Sequence, residues 1–281
     1  MKGAGGRGVA VLRRRPWVAA VLGGVLLLGV GLGAYRLLRV DEDLVWQRIQ
    51  ARQQLVVATD ASYQPFSAVD GSGRLFGFDV DLAEAIGRQW GVTVAYENIT
   101  YDALLGALVA DRDDVVISAF VPQPERTREV AYTRPYFVGG TVAVIRGADG
   151  AALSGDPLVW AAGKRFAVEY GAGGDALARQ WARRAAGVVV APMTTAADAL
   201  LAVEQGEADA ALVDLISAYD FMLGHPALAL AGPPLEPEPY VIAVSVNAPE
   251  VLENLEQALQ ALEADGTLPA LRVKWFGEAA R

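Results

Sequence analysis

The sequence predicts an α/β protein of two similar lobes joined by two crossing strands, carried behind one apolar N-terminal segment. Three observations predict it. Short apolar runs alternate with helical patterns, which implies parallel sheets with helices on both faces. The alternation runs once and then begins again at Arg165. Two strand patterns, near 141–145 and 240–244, stand between the repeats and would link them as a double hinge. Clefts between domains favour ligands, and hinge closure around a ligand suits this shape.

Residues 1–40 are a separate object. Lys2, Arg7, Arg13, Arg14 and Arg15 precede Pro16, and an uncharged apolar run covers 17–35 before Arg36 and Arg39. About 20 apolar residues cross a bilayer, and Trp17 and Tyr35 sit where interfacial aromatics collect. The basic excess before the run keeps the N-terminus cytoplasmic and puts the rest outside. The alternative is a cleaved signal peptide, which would leave the protein secreted. Such peptides have an apolar region of about 7–15 residues, and Gly31-Leu32-Gly33 is a poor cleavage site. The length therefore favours an uncleaved single-pass anchor in the cell membrane.

The 281-residue chain has no cysteine, which excludes disulfides and a lipid-modified cysteine. Seven of the 24 Lys+Arg lie before residue 40, whereas all 33 acids follow it, so the remainder carries a net charge of −16. Nucleic-acid binding wants a basic stripe, and this balance argues against it.

The elements follow in order. Leu55, Val56, Val57 and Ala58 form a strand buried on both faces. Residues 79–91 begin with acids and end in glycine, as helices prefer, with Val80, Ala83, Ile86 and Trp90 on the apolar face. A strand at 92–96, a helix at 101–111 and a buried strand at 114–117 complete the first unit. After the crossing at 141–145 come strand 165–169, helix 174–187, strand 188–191, helix 196–205 and strand 208–213. Strand 240–246 returns, and 250–264 is a long helix. Lobe 1 is then 41–141 with 242–281, and lobe 2 is 142–241.

In open α/β sheets ligands bind beyond the carboxyl ends of the strands. The strand at 55–58 stops at Thr59-Asp60, and Tyr63, Gln64, Pro65 and Phe66 follow. An acid, two aromatics and a stiff proline there look like one wall of a small-molecule pocket. Phe66 reads as a packing residue. The stretch Gly171-Ala172-Gly173-Gly174-Asp175-Ala176 matches a dinucleotide fingerprint, but the next strand ends Ala191-Pro192-Met193 without the required acid. His225 is the sole histidine and reads as solvated; no carboxylates cluster at ligand spacing, so neither metal nor cofactor is expected.

The chain resembles the extracellular solute-binding proteins of family 3, the polar-amino-acid receptors of ABC importers. The resemblance rests on LVVATDASYQPF (55–66), GFDVDLAEAI (77–86), YDALLGAL (101–108), PERTREVAYTRPYF (124–137), EADAALVD (207–214), PYVIAVS (239–245) and ADGTLPALRVKWFG (264–277), which are collinear. It implies a two-lobed periplasmic-binding-protein fold with a double-strand hinge, and an ABC permease as partner. It also implies that Arg126 grips a ligand's α-carboxylate, a pairing guanidinium suits. By itself Arg126 reads as a surface arginine paired with Glu125 or Glu129.

The resemblance places Asp214 where the ligand's ammonium is accepted, a role compatible with capping the following helix. Asp60 lies near the ligand's charged groups, and Tyr63 and Tyr101 sandwich its side chain. The strand beside them ends at Ile117-Ser118, and Ala119 follows it. Val121 and Gly171-Ala172-Gly173 depart from the family pattern, which has hydroxyl residues there. Backbone amides of Ala119, Ala172 and Gly173 would then serve, with the helix N-terminus after Gly173 favouring an anion. Glu169 stands where some relatives have lysine or a polar group, and is a candidate partner for a cationic group. The expected function is capture of a small zwitterionic ligand, an amino acid or derivative. Two rivals are a cyclohexadienyl dehydratase, which needs a poised acid or base with Glu169 as the candidate, and a sensory ectodomain, which would need a separate signalling partner.

Overall fold

The computed structural model describes residues 43–147 and 152–277. The predicted apolar span at 17–35 lies outside them, and among the described residues no helix is long and apolar enough to cross a membrane.

Asp43 shows how distant segments are tied. Its Oδ1 accepts the Val45 and Trp46 amides at 2.9 and 3.0 Å and so caps α1 (Leu44–Arg52). Its Oδ2 accepts the Glu250 and Val251 amides at 2.9 and 3.1 Å, at the start of the long helix after the second crossing. One buried carboxylate thus satisfies orphan amides of two helices.

The first half continues with β1 (Gln54–Thr59) and a small antiparallel ribbon, β2 (Ser62–Tyr63), β3 (Ser67–Val69) and β4 (Leu75–Phe76). Then come α2 (Phe78–Trp90), β5 (Thr93–Asn98), α3 (Leu104–Val109), β6 (Val115–Phe120) and β7 (Val130–Tyr132). β8 (Phe137–Arg146) crosses to the second half: α4 (Pro157–Ala161), β9 (Arg165–Glu169), α5 (Gly173–Ala182), β10 (Val189–Met193), α6 (Ala196–Glu204), β11 (Ala210–Asp214), α7 (Leu215–Met222) and β12 (Leu228–Leu230). β13 (Glu236–Ser245) returns, followed by α8 (Pro249–Ala264) and α9 (Thr267–Phe276).

β1 pairs in parallel with β5 and β6, and β9 with β10 and β11, as the alternation predicts. The crossing strands are antiparallel, which corrects the all-parallel expectation. β8 and β13 pair from Phe137↔Tyr240 to Thr141↔Glu236. β8 then lies against β11, and β13 against β6 and β7. Both crossings are longer than expected. Pro237 and Pro239 hid the start of β13, because prolines lack the ladder N–H and read as strand breakers. Gly140, opposite Pro237, has φ +103, and a Cβ there would come 2.0 Å from the Glu236 carbonyl oxygen, so only glycine fits at this point of the crossing.

Two helices are shorter than the sequence suggests. The one expected over 101–111 is a 3-10 turn, Tyr101–Ala103, followed by α3. The one expected over 174–187 ends at Ala182, after which Arg184 and Ala185 both donate to the Trp181 carbonyl. Every residue of β6 is buried. Phe66, fully buried, packs edge-on against Phe78, Phe137 and Tyr240, as its place after Pro65 suggests. His225, expected to be solvated, instead pairs with Glu204 Oε2 at 2.7 Å and stacks on Phe221.

Candidate functional site

The candidate residues of the first half gather where β1 and β6 run out. The Asp60 amide donates to Ser118 Oγ at 2.9 Å. Asp60 Oδ1 accepts the Ser62 amide at 3.0 Å, and Oδ2 accepts the Tyr101 amide at 2.8 Å. Asp60 therefore fastens two loops and holds Tyr101 in place. Tyr101 stacks on buried Phe120 at 5.3 Å, and its Oη accepts the Val121 amide at 3.2 Å. Tyr63 stacks on Phe66 at 5.4 Å. Both tyrosines keep one face in solvent, at 41% and 37% exposure, as a pocket wall requires.

Two amides expected to face a ligand are already engaged, which corrects that expectation. The Ala119 amide donates to Asp79 Oδ2 at 2.7 Å and to Tyr136 Oη at 3.0 Å. The Ala172 amide donates to the Glu169 carbonyl at 3.2 Å. The causes differ: Ala119, with a left-handed φ of +43, is taken by residues distant in the chain, whereas Ala172 is the N-cap of α5 and bonds locally. Gly173 and Gly174 are the first residues of α5, where amides have no intrahelical acceptor. Gly174 is required there: its Cβ would lie 2.0 Å from the Leu212 carbonyl oxygen, so glycine lets the helix start close on β11.

Arg126 closes a 3-10 turn, Pro124–Arg126, and its Nε donates to Glu129 Oε2 at 2.7 Å. That is the surface pairing the sequence allowed. The guanidinium also lies close enough to Tyr132 to oppose the rise that burial causes in that phenol's pKa. Tyr132 in turn stacks on Phe120 at 6.3 Å, so Phe120 contacts both Tyr101 and the tyrosine beside Arg126.

Asp214 ends β11 and caps α7. Its Oδ1 alone accepts both the Ile216 and Ser217 amides, at 2.9 and 3.2 Å. Capping and a second role for Oδ2 are thus compatible. Tyr63, from the first half, meets this region through the crossing strand. Burial pushes the Tyr63 phenol up; its hydrogen bond with Tyr240 opposes the rise, and the charges of Asp214 and Glu238 add to it. Burial, Tyr63, Asp214 and Glu238 raise Tyr240 likewise. Tyr63, Tyr240, Glu238 and Asp214 therefore share one electrostatic neighbourhood drawn from both halves and a crossing.

Glu169 ends β9 beside Met193 of β10. Sequence reasoning missed Glu238, hidden among prolines, and Tyr240 and Thr141, read only as strand residues. A Cβ on Gly173 would come 3.2 Å from Thr141 Oγ1, so a hydroxyl stands at the opening of α5 where the Ala172 position lacks one. Thr141 also pairs with Asp214 in the sheet. A cavity of about 530 Å³ lies beside these groups, lined by Gln64, Pro65, Ile216, Ser217, Tyr219 and α9 side chains. It shares their loops but none of the candidate residues. The two halves together carry a guanidinium, a carboxylate and two partly exposed aromatic rings.

Residues 55–278 match the family described as bacterial extracellular solute-binding proteins, family 3. A probable amino-acid ABC transporter-binding protein of Haemophilus influenzae is 29% identical over 234 residues, covering 82% of this chain and 87% of that protein. The L-cystine-binding protein TcyJ of Escherichia coli is 28% identical over 266 residues, covering 94% and 96%. Among solved structures, the L-cystine solute receptor of Neisseria gonorrhoeae, unliganded and open, is similar with a TM-score of 0.72 and 26% identity, covering 83% of this chain and 97% of that one.

Proposed function

The chain belongs to the bacterial extracellular solute-binding proteins, family 3, and from that premise we propose that it captures an amino acid between two lobes and delivers it to an ABC importer. The observation that carries the reading is the crossing strand β8, whose Thr141 pairs with Asp214 of the second half and with Glu236 of the returning crossing, within reach of the charge that Asp214 exerts on Tyr63.

In this reading the Arg126 guanidinium binds the α-carboxylate through the edge that Glu129 does not hold. The free oxygen of Asp214 accepts the ammonium, and Tyr63 and Tyr101 flank the side chain. The Gly173 amide and the Thr141 hydroxyl supply donors that Val121 and Ala172 lack, while Ser118 and Ala119 shape the wall from behind. Glu169 faces a cationic group of the ligand. The lobes are 41–141 with 242–281, and 142–241, and a ligand touching both favours the closed form through its differential affinity. The basic flank and the apolar run at 17–35 support a membrane tether that keeps the receptor beside its permease. The reading is of a binding protein rather than an enzyme, in keeping with the family, and both Asp60 and Asp214 engage backbone amides.

A thermal-shift screen against the standard amino acids and L-cystine tests the function, because bound ligand raises stability by RT ln(1 + [L]/Kd). Calorimetry with the best ligand then tests the site. Arg126→Ala is expected to weaken binding by about 10- to 100-fold, the scale of a lost charge-assisted hydrogen bond of roughly 1.5–3 kcal/mol. No shift with any amino acid overturns the function, and full affinity in Arg126→Ala overturns the carboxylate assignment.

A further inference from the structure

Asp79, in the first turn of α2, is 1% exposed and lies behind the ligand wall rather than in it. Its two oxygens take separate donors: Oδ2 the Ala119 amide at 2.7 Å, and Oδ1 the Tyr136 hydroxyl at 2.8 Å. The Ala119 amide also reaches Tyr136 Oη at 3.0 Å, which closes a buried triangle of carboxylate, phenol and amide. Burial pushes the carboxyl up to about 7, and the two donors oppose the rise without cancelling it.

The residue it grips is unusual. Ala119 has φ +43, a region unfavourable for any residue with a Cβ. It lies in a β-bulge: β6 pairs with β13 at Val116↔Ala243 and again at Phe120↔Val241, with three β6 residues opposite the single residue Ile242. Bulges re-aim side chains and are held by what surrounds them. On one side of Ala119, Ser118 Oγ takes the Asp60 amide; on the other, Phe120 carries the Tyr101 ring and the Val121 amide meets its hydroxyl. The turn with Arg126 follows five residues after Val121.

We propose that Asp79, with Tyr136 as its partner, is a positioning residue for ligand capture: it holds the Ala119 bulge, and through it the Tyr101 wall and the Arg126 turn. This rests on the reading that Arg126 and Tyr101 contact the ligand. Without the clamp β6 relaxes toward regular pairing, and a one-residue slip turns its side chains to the opposite face. A residue serving only stability would lower the melting temperature and leave the affinity of the folded protein alone.

Calorimetry of the purified protein with the standard amino acids and L-cystine, at a temperature where circular dichroism shows each variant folded, separates the two. Asp79→Asn keeps the volume but replaces one acceptor by a donor. It is expected to weaken binding by about tenfold, or 1.4 kcal/mol. Adding Ala119→Gly to it is expected to recover most of the loss, because glycine adopts a left-handed φ without a clamp. If Asp79→Asn does not fold, Tyr136→Phe alone and with Ala119→Gly carries the same comparison. Wild-type affinity in the single variant, or a double variant that binds no better than the single, overturns the clamp. A wild-type protein that binds none of the probes instead overturns the capture reading, and the clamp with it.

Discussion

On the first half of the cleft, Asp60, Ser118, Ala119 and Val121 all have polar groups bonded within the protein. On the second half, Asp214 caps its helix through Oδ1 alone, and α5 opens with amides that no helical acceptor can reach. The first wall is a fixed scaffold whose carboxylates order loops. The second offers polar groups left over after its own structure is satisfied. In the proposed reading a fixed wall costs little further ordering on binding, and the leftover donors and acceptors are what a ligand would pair with.

The contrast can be broken at matched aspartates. Asp214→Asn keeps a good N-cap, so its melting temperature should stay near wild type while affinity for the amino-acid ligand falls about tenfold. Asp60→Ala should do the reverse in kind. It strands the Ser62 and Tyr101 amides and should lower stability by about 1–2 kcal/mol in urea denaturation, with affinity falling through Tyr101. If Asp214→Asn loses stability and Asp60→Ala does not, the division between scaffold and binding groups is wrong.

A smaller effect sharpens the same contrast through pH. Of the buried carboxyls in the first half, Asp79 and Asp113 are pushed up to about 7 by burial; Glu97 adds to the rise at Asp113. Asp113 is buried beside the Glu97 carboxyl, and a shared proton between two such acids agrees with a carboxyl kept protonated. A folded pKa above the unfolded value of 3.8 contributes stability that is complete below about 4 and lost as pH rises through about 7. Unfolding free energy should therefore be higher at pH 5 than at pH 8, by on the order of 1 kcal/mol or more, and Asp113→Asn should flatten the slope. A protein more stable at pH 8, or an unchanged slope in Asp113→Asn, would contradict the assignment.

Much of this was legible in the sequence because it is local. The run 55–58, the acids and glycine bounding α2, and the restart at Arg165 follow from short-range pattern, and the strands and helices form there. The placement of Asp60, Tyr63 and Asp214 at strand ends was legible for the same reason. What escaped depends on partners far along the chain. The Ala119 amide looked free until Asp79, 40 residues away, reached it; Glu238 stood in a stretch whose prolines argue against a strand, and Tyr240 was legible only as the start of one. Thr141 gained meaning only when β8 carried it beside Gly173. Pattern gives the elements; the crossings decide which side chains meet.

The central claim is that one amino acid touches both halves and draws them together. Small-angle X-ray scattering of the protein, with and without a saturating amino acid chosen by thermal shift, tests it most directly. The account predicts a smaller radius of gyration with ligand bound, and no such contraction in Asp214→Asn at the same ligand concentration. An unchanged radius in the saturated wild-type protein would contradict it.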